Sequence, residues 1–159
     1  MTQAWSAVLA TPLPEGWRFG IQCANGAVIS ADFLPPDTPL LSPQGTCACR
    51  AAADVQDYFA AGRTVPAAPL APRGTPFQQQ VWQALRAIPP GQPCSYGALA
   101  ARLGSSARAV AAACRANPIP LLIPCHRVVA AQGPGGYMGA VDGAPLRLKL
   151  WLLAHEAVG

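Results

Sequence analysis

Between residues 58 and 141 the chain has no acidic side chain, although it carries seven arginines there: Arg63, Arg73, Arg86, Arg102, Arg108, Arg115 and Arg127. Residues 1–57 reverse the balance, with Glu15, Asp32, Asp37, Asp54 and Asp57 against Arg18 and Arg50. The modest net charge of +4 therefore hides a cationic middle. Arginine without counter-charge points to a polyanion partner, because guanidinium groups neutralise phosphates and release their counterions. A codon bias toward Arg and Ala would give the same asymmetry without any partner.

Long apolar runs are also missing. None approaches the roughly 20 residues needed to span a bilayer, and no basic segment precedes an apolar one at the N-terminus. The expectation is a cytoplasmic protein with no membrane partner. Histidine is scarce: His126 and His155 are the only two, both in the last third of the chain. Cys23, Cys47 and Cys49 therefore lack histidine neighbours in sequence, and Cys-x-Cys is not the usual zinc-knuckle spacing, so no metal is expected. Six cysteines in 159 residues are too sparse for a stapled secreted scaffold, and all six are expected as thiols. That length accommodates one domain of typical size or two small ones.

Along the chain, Trp17, Phe19, Ile21 and Cys23 alternate with period two, and Asn25-Gly26 offers two positive-φ positions before an apolar stretch at 27–33. This predicts a β-hairpin. Residues 50–60 place Val55, Tyr58 and Phe59 on one helical face, closed by Gly62. Prolines at 66, 69, 72 and 76 then predict an extended connector over 64–75, dividing an N-terminal module, 1–63, from a second one, 76–159.

The second module opens on Thr75-Pro76-Phe77-Gln78, a capping box with proline at the first helical position, followed by Val81, Trp82 and Leu85. Ser95 caps a short helix to about Leu103, Gly104 breaks it, and Ser105 or Ser106 caps another to about Arg115. Two short helices across a glycine turn form a helix-turn-helix candidate. The second carries Arg108 near its start and the small Ala109, Ala111, Ala112 and Ala113, which suit either close approach to another surface or plain helix packing. From Pro145 a last helix is expected, with Leu146, Leu150 and Leu153 on one face. Glu156 near its C-terminus is disfavoured by the helix dipole, so it is either frayed and solvated or paired with a donor such as His126.

The apolar run 119–123 leads into Pro124-Cys125-His126-Arg127-Val128, predicting a buried extended segment that delivers the Cys125 thiol where the backbone bends. A thiol beside a proton acceptor is drawn toward the reactive thiolate, whereas one in an apolar pocket alone stays inert. A single buried cysteine is more often a small hydrophobe, so its surroundings must decide.

Ser95-Tyr96, Ala107-Arg108-Ala109-Val110, Asn117-Pro118, Ile123-Pro-Cys-His-Arg-Val-Val129 and Lys149-x-Trp-Leu-Leu-Ala-His-Glu156 together resemble the O6-alkylguanine-DNA alkyltransferases, also called methylated-DNA–protein-cysteine methyltransferases. The resemblance covers about 77–156. It implies an α+β protein: a ribonuclease-H-like N-terminal α/β module and a mostly helical, winged-helix-like domain carrying the helix-turn-helix. It also implies stoichiometric, cofactor-free transfer of the O6-alkyl group of guanine in duplex DNA to Cys125, with His126 and a bridging water as proton route and Glu156 orienting His126. The base must leave the stack, at a cost of a few kcal/mol.

By the same resemblance, Arg108 fills the vacated stack, Tyr96 pushes the 3′ phosphate and bonds the flipped base, and Ala109, Ala112 and Arg115 lie along the DNA. Asn117 holds the turn between helix and acceptor as a hinge. The carbonyls of Cys125 and Val128 read guanine's amine, and Tyr137 and the Met138 backbone border the O6 side. A monomer in solution is implied, with cooperative binding on DNA left open. Ala111, where the family often has glycine, Met138, where it has a small or basic residue, and a longer 137–149 segment depart from the pattern. The histidines of the zinc site found in some relatives are missing.

Three rivals carry different functions. An alkyltransferase-like lesion binder flags damage without repair, but lacks the acceptor cysteine. A cysteine hydrolase built on Cys125, His126 and Glu156 needs an oxyanion hole, for which no signal exists. A transcription regulator needs a sensor or oligomerisation segment, and none is evident.

Overall fold

Asn25 and Gly26, at φ 53° and 79°, close a two-residue turn between β2 (Arg18–Ala24) and β3 (Ala27–Leu34). Positive φ at both central positions matches the twist of the flanking strands. β1 (Ala7–Leu9) pairs antiparallel with β2, giving a three-stranded sheet of order β1-β2-β3. The β2–β3 register slips between Gln22 and Cys23, a bulge that recurs below. The computed structural model describes residues 4–158, which fall into two units, Met1–Arg73 and Gly74–Gly159.

In the first unit, α1 (Thr46–Ala61) begins four residues earlier than its apolar stripe suggests and ends on Gly62 in the left-handed conformation. Ala48, Ala51, Ala52, Val55 and Tyr58 are buried along it, and Phe19, Ile21, Val28 and Phe33 are buried on the sheet. The proline-rich stretch is extended but is strapped to this unit. Asp54, itself buried, accepts the Ala67 and Ala68 N–H groups at 3.0 Å, and Val28 exchanges bonds of 2.8 Å with Pro69 O and Ala71 N. Prolines keep such a strap extended because they have no N–H to offer a sheet interior.

The second unit starts with α2 (Pro76–Arg86), where Thr75 and Gln78 complete both bonds of the capping box. Trp82 is buried and donates its indole N–H to Ala113 O at 2.9 Å, fixing α2 against α4 (Ala107–Arg115). Gly74 lies so close to that indole that a Cβ there would sit 2.4 Å from it. α3 (Tyr96–Leu103) is capped by Ser95 and closed by Gly104 in the left-handed region, and Ser106 caps α4. A short parallel pair, β4 (Cys94–Ser95) with β5 (Val128–Val129), brings the start of α3 beside the segment after Cys125.

Two expectations are corrected. Residues 119–123 are buried but not extended: Ile123 N bonds Ile119 O at 2.9 Å, Leu122 N bonds Pro120 O at 3.0 Å, and Leu121 takes φ 74°. Pro118, Pro120 and Pro124 remove the donors a strand would need, so the run folds into a tight buried turn. The last helix, α5 (Gly143–Val158), buries Leu148 and Leu152, while Leu150 is 46% exposed. Leucines surround this helix, so their spacing marks no face; its buried polar residues do. The molecule is α+β, with five α-helices, one three-stranded antiparallel sheet and one two-stranded parallel pair among the described residues. No helix among those residues is long and apolar enough to cross a membrane.

Candidate active site

Cys125 opens a 3₁₀ turn, Cys125–Arg127, whose three side chains are all buried. Asn117 fixes the approach to it. Its Nδ2 donates to Ile123 O at 2.8 Å and its Oδ1 accepts from Ile119 N at 3.0 Å, so one side chain closes the loop between α4 and the Cys125 turn. Burial pushes the Cys125 thiol above its ordinary pKa; Asn117, the Lys149 charge and Tyr137 pull it back without cancelling the burial. The resting thiol is therefore protonated and protected.

Behind it, His126 and Glu156 are 0% and 2% exposed, and His126 Nε2 lies 2.5 Å from Glu156 Oε2. Arg127 grips the same carboxylate, with Nε donating to Oε1 at 2.8 Å and Nη2 to Oε2 at 3.3 Å. Its Nη1 donates to Ile88 O at 2.8 Å, linking the segment after α2 to the His126–Glu156 pair. Burial lowers the His126 pKa, and Glu156 opposes that shift without reversing it. Glu156 accepts from Arg127 at two points as a carboxylate, and in the same pairing it accepts the His126 Nε2–H. Nδ1 is then the basic nitrogen of a neutral ring. The Cys125 thiol and the His126 ring are thus both held toward their neutral forms.

Lys149, 0% exposed on α5, donates to Val128 O at 2.7 Å and Gly136 O at 2.9 Å. Its ammonium stands 5.7 Å from the centroid of the Tyr96 ring, and burial lowers its pKa to about 8. Burial raises the Tyr96 phenol to about 12. Gly135 packs so tightly that a Cβ would lie 3.1 Å from the Tyr96 ring. After it, Tyr137 is buried, and Met138 and Gly139 (φ 52° and 79°) form a two-residue turn closed by paired Tyr137–Ala140 bonds of 2.7 and 2.9 Å. A methionine with positive φ is strained, and such strain concentrates at functional rims.

On α4, Arg108, Ala112 and Arg115 are exposed at i, i+4 and i+7, so they share one outward face, with Ala109 half-buried at its edge. Val110, Ala113 and Cys114 face inward. The outward face combines two cations with a methyl-sized gap between them. Among the described residues, no group of three or more His, Cys, Asp or Glu side chains is arranged to hold a metal ion.

Residues 76–158 match the family model for the DNA-binding domain of 6-O-methylguanine DNA methyltransferase. The chain belongs to this family. It is 53% identical over 104 residues to a methylated-DNA–protein-cysteine methyltransferase of Salmonella typhimurium, covering 63% of this chain and 58% of that protein. A Mycobacterium leprae protein of the same name is 43% identical over 140 residues, covering 86% and 81%. The solved O6-methylguanine methyltransferase of Mycobacterium tuberculosis superposes with a TM-score of 0.75 at 32% identity, covering 95% of this chain and 92% of that one. A structure of Mycobacterium tuberculosis OGT in complex with DNA superposes with the same TM-score and identity. Against the Salmonella typhimurium and Bacillus subtilis relatives, the match spans only 58% and 62% of their length.

For this alkyltransferase-family chain, the structure places Cys125, His126 and Glu156 together from two distant segments, Tyr96 and Val128 beside Lys149, and Tyr137 against Cys125. Met138 stands at the exposed rim, and Arg108, Ala112 and Arg115 on a separate helix face. Sequence reasoning assigned no role to Arg127 or Lys149. Signals existed for both: Arg127 follows Cys-His directly, and Lys149 precedes Glu156 by two helical turns, on the same side as Leu152.

Proposed function

We propose that the chain carries out direct-reversal DNA repair, moving the O6-alkyl group of guanine in duplex DNA to Cys125 once and irreversibly. The observation that carries this reading is the buried Glu156–His126 pair immediately behind Cys125. A surface thiol needs no such relay. A buried, protonated one does, because only the thiolate is nucleophilic.

As substrate enters, the Cys125 proton leaves toward His126 Nδ1 through a water, and Glu156 stabilises the imidazolium. Sγ then attacks the alkyl carbon, the C–O6 bond breaks, and its electron pair passes into guanine. The proton follows, so the products are neutral guanine and a thioether. No group hydrolyses the thioether, and the protein is spent.

The outward face of α4 supports binding along DNA: Ala112 allows close backbone approach, Arg115 meets phosphate, and Arg108 enters the stack in place of the flipped base. Tyr96 and the Val128 carbonyl line the base pocket, with Tyr137 and Met138 on its O6 side. Lys149 holds the Val128 carbonyl in place for that reading. We further propose that Asn117 acts as the hinge, that 76–159 is the winged-helix-like catalytic domain and 1–63 a ribonuclease-H-like module, and that the protein works as a cytoplasmic monomer. A protein that only binds the lesion has no use for a proton relay, which argues against that alternative.

Titration against duplex DNA holding one O6-methylguanine tests the reading. Restored guanine should plateau at one equivalent per protein. Continued turnover, or no restoration, would overturn it.

A further inference from the structure

In the first unit, Cys23 Sγ and Cys47 Sγ lie 3.0 Å apart, with Cys23 donating. That is about 1 Å beyond a disulfide bond. Three features hold them there. The bulge between Gln22 and Cys23 breaks the strand's alternation and re-aims Cys23. Ser6 then ties Cys23 to the approach to α1: its Oγ accepts the Cys23 N–H at 2.9 Å, and its carbonyl accepts the Gln44 N–H at 2.8 Å, just before α1 begins. Cys47 lies in the first turn of α1, so the same residue anchors the strand and the helix entry. Both thiols are only half-buried, which leaves a path for a small reagent.

We propose that Cys23 and Cys47 form a reversible dithiol–disulfide site, with a peroxide or a small-molecule disulfide as oxidant. With hydrogen peroxide, one sulfur attacks the O–O bond, giving a sulfenic acid and water. The other sulfur then attacks the sulfenic sulfur, the S–S bond forms, and the departing hydroxide takes the remaining thiol proton as a second water. Two electrons pass from the two sulfurs to peroxide, and a dithiol reductant reverses the step. Once formed, the bond ties β2 to the start of α1 across 24 residues and stabilises the first unit. Cys23 and Cys47 belong to the first unit, and Cys125 to the second.

The experiment uses the full chain carrying Cys125→Ser, so its outcome is independent of the alkyl-transfer reading. After brief peroxide treatment and blocking of free thiols, cleavage at Asp32 and Asp37 separates Cys23 from Cys47. The expected result is a linked pair of peptides lighter by two hydrogens and separated by dithiothreitol. The link should persist in Cys49→Ser and vanish in Cys47→Ser and Cys23→Ser. The oxidised chain should also melt at a higher temperature than the reduced one. Sulfinic acids on unlinked Cys23 and Cys47, or a link that requires Cys49, would overturn the proposal.

Discussion

Glu156 meets His126 at 2.5 Å, Oε2 to Nε2, with both side chains buried and thirty residues apart in the chain. The same carboxylate is held by Arg127, so removing its charge has two effects. In Glu156→Gln, alkylation of Cys125 by free O6-benzylguanine should slow by about 100-fold or more, the scale of a lost acid–base relay. Arg127 also loses its counter-charge, which should cost about 3–5 kcal/mol of stability. Single-turnover kinetics on the folded fraction, with urea unfolding alongside, measure both. DNA binding should persist, because α4 is untouched; an unchanged alkylation rate would reject the relay.

Arg127 admits a finer test. Arg127→Lys keeps a positive charge but lacks the planar fork that engages both carboxylate oxygens and Ile88 O. Its alkylation rate should fall between those of the unaltered chain and Arg127→Met. Equal rates for all three would confine Arg127 to a packing role.

Stability should depend on pH in two windows. Burial holds His126 below its ordinary 6.5, so as pH falls below that value the unfolded chain binds the proton first, and stability falls with it. Burial lowers Lys149 from 10.5 to about 8, so between those values the unfolded chain keeps a proton that the folded one has lost, and stability rises with pH. Urea unfolding across pH checks both. His126→Gln should flatten the acid window and Lys149→Met the alkaline one.

Lys149→Met should also free the carbonyls of Val128 and Gly136, at about 1–3 kcal/mol for the buried Val128 acceptor and less for the part-buried Gly136 one. Amide exchange should quicken across 130–140 before it does in α2 or α4. Uniform quickening would mean that Lys149 supports the whole unit rather than this segment.

Local chemistry made much of this legible in the sequence. Thr75 with Gln78, Ser95, Ser106, Gly62 and Gly104 mark helix ends because capping is decided within a few residues. Asn25-Gly26 marks the hairpin for the same reason. The turn at 119–123 was hidden because apolarity reports burial and not backbone shape; Asn117, which shapes it, acts through main-chain atoms. The inward face of α5 was hidden because leucine covers most of that helix, so Lys149 and Glu156 orient it through partners distant in the chain. Arg127 looked like part of the cationic block, yet it is buried on Glu156, and no local pattern separates those two fates.

Arg108→Ala should slow repair of O6-methylguanine in duplex DNA by about 10-fold or more, a loss of about 1.4 kcal/mol out of an unstacking cost of a few kcal/mol. Reaction with free O6-benzylguanine should hardly change, because no base must be extruded. Parallel rate measurements on the two substrates separate the effects, and equal losses would argue against intercalation.

Cys125 is proposed as an acceptor used once. Tryptic cleavage after Arg115 and Arg127 isolates Cys125 as the only cysteine in its peptide, so weighing that peptide after incubation with O6-methylguanine duplex reads the claim directly. The peptide should gain the mass of one methylene group, at one equivalent per protein, with no gain in Cys125→Ser. Restored guanine with an unaltered Cys125 peptide would contradict it.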